Sequence, residues 1–133
     1  MTLFIRLTST FLFLLLCISM TSCEQTDKKD LIVGEWTFEK FQFSKELEII
    51  MSPTERKKAN ETNKGLVIKF TADNKYSSEQ KGGGAINNSK GIYRLLPNNK
   101  LIIMEDTSTI IQLDKIYLKL YRDELSPIVH FRR

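Results

Sequence analysis

Residues 66–76 read Leu-Val-Ile-Lys-Phe-Thr-Ala-Asp-Asn-Lys-Tyr, and the fold class is decided there. Leu66, Ile68 and Phe70 alternate with Val67, Lys69 and Thr71, the period of two that turns one side of a strand toward a core. Ala72-Asp73-Asn74-Lys75 is a turn, because Asp and Asn tolerate left-handed backbone angles. Tyr76 and Ser78 begin a return strand. The segment is therefore an antiparallel hairpin.

The same grammar continues toward the C-terminus. Lys81-Gly82-Gly83-Gly84 through Asn87-Asn88-Ser89 has no apolar period and reads as a loop. Residues 92–96 form a strand, Pro97-Asn98-Asn99-Lys100 a turn, and residues 101–104 the next strand. Further strands are expected at about 109–114 and 115–122, where Ile116, Leu118 and Leu120 alternate with Tyr117, Lys119 and Tyr121. Asp123-Glu124-Leu125-Ser126-Pro127 turns the chain into a last strand over 128–132. Ahead of the hairpin, 32–43 is an opening strand around Trp36 and Phe38. Phe41 and Phe43 have the opposite parity, so a bulge is expected near Lys40. Between these strands lies a helical insertion. Ser44 caps a turn over 45–51 with Leu47, Ile50 and Met51 on one face. Ser52-Pro53-Thr54-Glu55 has capping-box spacing with Pro at the first helical position. Arg56, Lys57 and Lys58 are placed on its solvated side.

The expected architecture is all-β: about eight strands in an up-and-down antiparallel meander closing into a small barrel, with a short helical insertion after the first strand. An open two-layer sandwich is the alternative; short meander connections favour the barrel. The interior of such a barrel either fills with side chains or holds one small ligand.

The first segment is an address. Arg6 is the only charge in the first 22 residues, and it precedes the apolar run over 11–18, too short to span a bilayer as a mature helix. These are the parts of a secretory signal peptide. Met20-Thr21-Ser22-Cys23 resembles the lipobox of bacterial lipoproteins. That resemblance implies removal of residues 1–22 and acylation of Cys23, hence attachment to a bilayer in the cell envelope, with the outer membrane the expected site. Residues 23–30 are then the lipidated Cys and a polar tether, and 31–133 the barrel domain. With Cys17 removed and Cys23 acylated, no thiol is left for a disulfide or a nucleophile.

A second resemblance rests on several pieces in order. Leu31-Ile32-Val33-Gly34-Glu35-Trp36 looks like the Gly-x-Trp start of the lipocalin and calycin group. The stretches 66–76 and 91–104 are similar to small lipocalin-like lipoproteins of Bacteroidota. The resemblance implies that Trp36 closes one end of the barrel against a cation near the end of the last strand. Arg132 and Arg122 are the candidates for that cation. It also implies an interior made of Trp36, Phe38, Leu66, Ile68, Phe70, Tyr93, Leu95, Leu101, Ile103, Leu118 and Phe131, available to a small apolar or amphipathic molecule. Leu47, Ile50 and Met51 would face inward as a lid.

Other chemistry finds little support in the sequence. The chain has 133 residues, 41 % hydrophobic and 27 % charged, with two Cys and one His. That excludes a disulfide scaffold, a Cys-based zinc site and a His-rich metal centre. Gly82-Gly83-Gly84 lacks the Gly-Lys-Ser/Thr of a phosphate loop. Glu105 and Asp106 are adjacent in a strand, so they point to opposite faces. His130, out of phase with Val129 and Phe131, is expected to be exposed or at a rim rather than a base. A net charge of +4 is too mild for nucleic acid, and the aromatics fall at core parity. The expectation is a monomeric, cofactor-free, non-enzymatic protein, either binding a ligand in its barrel or, with a filled barrel, contacting another envelope component.

Overall fold

The computed structural model describes residues 27–81 and 88–133. The signal peptide, Cys23 and the Gly82–Gly84 loop lie outside the described residues. Eight strands are described: β1 (Gly34–Gln42), β2 (Leu66–Phe70), β3 (Lys75–Gln80), β4 (Ser89–Leu96), β5 (Lys100–Ile103), β6 (Asp106–Leu113), β7 (Tyr117–Tyr121) and β8 (Ile128–Arg132). Each pairs antiparallel with the next, and β8 returns to β1. The sheet is a closed barrel, not an open sandwich, and every strand has a neighbour on both sides. Two helices, α1 (Lys45–Ile50) and α2 (Pro53–Asn63), form the insertion after β1.

The turns follow from residue type. Asn74, Asn98 and Asn99 all adopt positive φ, the left-handed region that their short amide side chains tolerate. Thr71 and Lys75 close the first hairpin by backbone pairing, and the Thr71 hydroxyl and Lys75 ammonium both bind Asp73. These contacts hold the Asp73 carboxyl below its ordinary pKa. Asp114 accepts the backbone N–H groups of Ile116 and Tyr117 and the Gln112 amide, which organises the turn between β6 and β7 and lowers its own pKa.

β1 carries the expected bulge. Its register with β8 shifts between Phe38 and Lys40, so Phe38 and Phe41 both face inward although three positions apart. β1 also outruns β2, which pairs only with Gly34 to Thr37. The backbone N–H of Phe41 donates instead to Asn60 Oδ1 of α2 at 2.7 Å. A helix side chain thus satisfies a strand group that the sheet leaves unpaired.

Within the insertion, Ser44 caps α1, and Ser52 and Glu55 form the reciprocal capping box with Pro53 at the helix start. The expected lid is corrected. Leu47 is buried, but Ile50 is 69 % exposed and Met51 is an extended cap residue outside the helix. Ser52 precedes a proline and must be extended, so α1 stops after one and a half turns and buries a single side chain. Arg56 is not on a purely solvated side either: it folds back onto Glu48 at 2.9 Å. Residues 27–32 are helical. Ile32, fully buried, pins that turn under the barrel.

The expected interior residues come together in one cluster. Trp36, Phe38, Phe70, Tyr93, Leu101, Leu118 and Phe131 are buried, and Leu66, Ile68, Leu95 and Ile103 pack half-buried against them. Phe70 and Tyr93 meet edge to face at 4.9 Å, and Phe38 packs the same way on Phe131 at 6.2 Å. Gly91 makes room for Tyr76: a Cβ there would lie 2.9 Å from the Tyr76 ring.

Candidate functional site

The two ends of the barrel differ. At one end the chain passes from helical residues 27–32 into β1, beside the β4–β5 and β6–β7 turns. Trp36 is fully buried there, and its indole N–H donates to the Ile32 carbonyl at 2.8 Å. A guanidinium lies 4.3 Å from the indole centroid, and it belongs to Arg133. The two expected partners are elsewhere. Arg132 points outward over Tyr117 at 5.9 Å, and Arg122 is at the opposite end with Asp106 and Asp123. Arg133 also donates to the Leu31 and Val33 carbonyls at 2.9 and 2.7 Å. It therefore ties the start of the barrel to its last strand while covering the Trp.

Gly34 is required by this arrangement. Its φ of +133° is unfavourable for other residues, and a Cβ would stand 2.8 Å from the Arg133 guanidinium. Gly34 and Trp36 thus act together, one leaving room for the cation that stacks on the other. Strand parity was the signal for Arg133: Phe131 faces in, Arg132 faces out, and the next residue faces in again.

At the other end the interior opens. Phe41, Ile103 and Val129 have inward parity but are only half-buried, unlike Phe70, Tyr93, Leu101 and Leu118. A concavity of about 410 Å³ sits there. Its walls are Phe41, Ile103, Ser108, Leu120, Val129 and Phe131, and its rim is Met104, Asp106, Arg122, Ser126 and Pro127. Of the interior residues expected from sequence, Ile103 and Phe131 line it; Trp36, Phe38, Phe70, Tyr93, Leu101 and Leu118 are buried core, and Leu66, Ile68 and Leu95 pack half-buried against them. The sequence reading missed Phe41, whose inward turn depends on the bulge, and it missed Ser108, Leu120 and Val129, which parity marks as inward. The rim's two charges neutralise each other, Arg122 donating to Asp106 at 3.0 Å. Met104, at the rim, holds a positive φ of 58°, uncommon for its residue type.

His130 is a further correction. It has outward parity as expected, yet it is buried at 5 % exposure. Its register neighbours are Lys40 and Lys119, and Nε2 pairs with the Gln42 amide oxygen at 2.9 Å. Burial, then the two lysines, push its pKa below the ordinary histidine value, with Glu39 opposing them. Among the described residues, no carboxylate or hydroxyl makes a hydrogen bond to the His130 ring. Tyr93 is likewise structural: its hydroxyl donates to the Thr71 carbonyl, and burial raises its pKa.

Among the described residues no cluster of His, Cys, Asp and Glu has metal-binding geometry, and no helix is long and apolar enough to cross a membrane. Fold and site together define an eight-stranded antiparallel barrel, with a Trp–Arg contact at one end and a concavity at the other. No family model, curated protein or solved structure matches the chain.

Proposed function

We propose that this chain is a lipocalin-like envelope lipoprotein, anchored through acylated Cys23, that holds a small apolar or amphipathic molecule in the open half of its barrel without chemical conversion. The observation that carries the reading is the unequal filling of the interior. Trp36, Phe70, Tyr93, Leu101 and Leu118 are fully buried, while Phe41, Ile103 and Val129 are half-buried around a concavity of about 410 Å³ with mostly apolar walls, within the range of small-molecule sites. The paired charges of Asp106 and Arg122 leave a rim with little preference for ionic heads.

The site is tested with N-phenyl-1-naphthylamine, an uncharged dye that fluoresces in apolar surroundings, added to the Cys23→Ser chain lacking residues 1–22. Saturable binding displaced by dodecanol is expected. Val129→Trp fills the concavity and weakens the dye about tenfold, a loss of roughly 1.4 kcal/mol. Ile92→Trp, on the exposed outer wall, leaves it unchanged. Absence of saturable binding, or equal loss in both variants, rejects the internal site and favours a barrel that acts through its surface.

The anchor has its own test. Full-length protein with Cys23→Ser is expected in the soluble fraction and without acyl label, because two or more chains are needed to hold a protein firmly on a bilayer. Processed protein that stays with the membrane overturns the anchor.

A further inference from the structure

A second concavity, of about 580 Å³, lies on the outside of the barrel. Gln42, Tyr121 and Ile128 have outward parity on the adjacent strands β1, β7 and β8, and Gln42 is the register partner of Ile128. Phe43 and Glu46 bound the hollow on one side and Glu124 and Leu125 on the other. It shares Ser126 with the rim of the internal concavity and no other lining residue.

Its composition is selective. Both charged residues in the wall are carboxylates, on a chain whose net charge is +4. Glu35, Glu48, Asp73 and Asp106 are matched with Lys69, Arg56, Lys75 and Arg122, whereas Glu39, Glu79 and Glu105 have no ion-pair partner among the described residues. Glu46 and Glu124 have no ion-pair or hydrogen-bond partner among the described residues. Phe43 and Tyr121, both half-buried, supply aromatic rings in the same hollow. Phe43 is steadied by its edge contact with Phe41 at 6.1 Å. Ring faces attract cations, and an alkylated ammonium, weakly hydrated, gains most from rings and carboxylates together. A hydrated metal ion would need oxygen ligands in a tight shell, which two separated glutamates do not offer.

We propose that this outer hollow binds an alkylated ammonium group, with Phe43 and Tyr121 contacting its methyl groups and Glu46 and Glu124 supplying the countercharge.

The test is calorimetric titration of the Cys23→Ser chain lacking residues 1–22 with choline and with its uncharged isostere 3,3-dimethylbutan-1-ol. Choline is expected to bind with a dissociation constant of about 1–10 mM, as suits a small, partly exposed cation. The isostere should bind at least about tenfold more weakly. Glu46→Gln and Glu124→Gln should each weaken choline about 2–5-fold, the range for exposed charges. Tyr121→Leu, which keeps the apolar wall, should weaken choline and leave the isostere unchanged. Backbone amide shifts confined to 42–46 and 121–128 would locate the cation. Co-sedimentation with phosphatidylcholine vesicles, lost in the Glu variants, identifies the source as a lipid headgroup; choline binding without co-sedimentation identifies a free ammonium compound. Equal binding of choline and the isostere, or no choline binding with a folded protein, overturns the proposal. Dye binding in the barrel is unaffected by either outcome.

Discussion

Replacing Trp36 with alanine is expected to lower the stability of the barrel by about 3–5 kcal/mol, the cost of emptying a large buried aromatic site. Trp36 is fully buried, donates to the Ile32 carbonyl and is covered by the Arg133 guanidinium. A loss of that size is a large part of the 5–15 kcal/mol that holds an ordinary domain folded. In a thermal melt it corresponds to a fall of about 10–20 °C for a chain of this length. Arg133→Ala should cost less, about 1–3 kcal/mol, because the guanidinium that makes the two carbonyl contacts is exposed. In a double-mutant cycle Arg133 should couple to Trp36 by about 0.5–2 kcal/mol, whereas Arg132 and Arg122 should be additive with it. An unchanged melting temperature for Trp36→Ala, or coupling to Arg132 in place of Arg133, would contradict this contact.

The second large effect is at Gly65, between α2 and β2. Its φ is +87°, and a Cβ there would stand 1.9 Å from the Lys81 carbonyl oxygen. The Gly65 carbonyl in turn accepts the Lys81 N–H at 2.9 Å, so the two backbones are locked across the β2–β3 pair. Gly65→Ala combines left-handed strain of about 1–2 kcal/mol with forced separation of that contact, for a total of about 3 kcal/mol or more. Gly65→Asn separates the two causes. Asparagine tolerates positive φ but still carries a Cβ, so it should be nearly as damaging as alanine in urea denaturation. If asparagine restores the wild-type midpoint, backbone angle and not close approach is what requires glycine here.

Much of the fold was legible because the strands are short, half-buried and joined by turns whose chemistry is local. Asp73-Asn74 and Asn98-Asn99 marked reversals that the chain makes, and the conflict of parity between Phe38 and Phe41 marked a real bulge. Ser52, Pro53 and Glu55 announced a helix start that needs no tertiary partner. What stayed hidden depends on distant contacts. Residues 27–32 make too few turns, with too polar a composition, for periodicity to register, and they are held by Ile32 beneath Trp36. His130 was correctly turned outward by parity, but parity says nothing about how deeply an outer wall is covered. The choice of Arg132 and Arg122 over Arg133 was an avoidable miss, since the alternation that placed Phe131 inside also aims the residue two positions later at the indole.

The position of helical residues 27–32 gives the molecule a polarity. They sit at the Trp–Arg end, where Lys28 donates to Asn99 of the β4–β5 turn and Arg133 grips Leu31. From residue 23 to residue 27 the backbone reaches at most about 14 Å. The barrel wall, with strands of up to nine residues, rises about 25–30 Å before tilt. A lipid on Cys23 would therefore leash the protein by its floor and hold its doorway toward the aqueous side. On the proposed reading, a ligand entering there would arrive across water and would not slide sideways out of the leaflet in which the anchor sits.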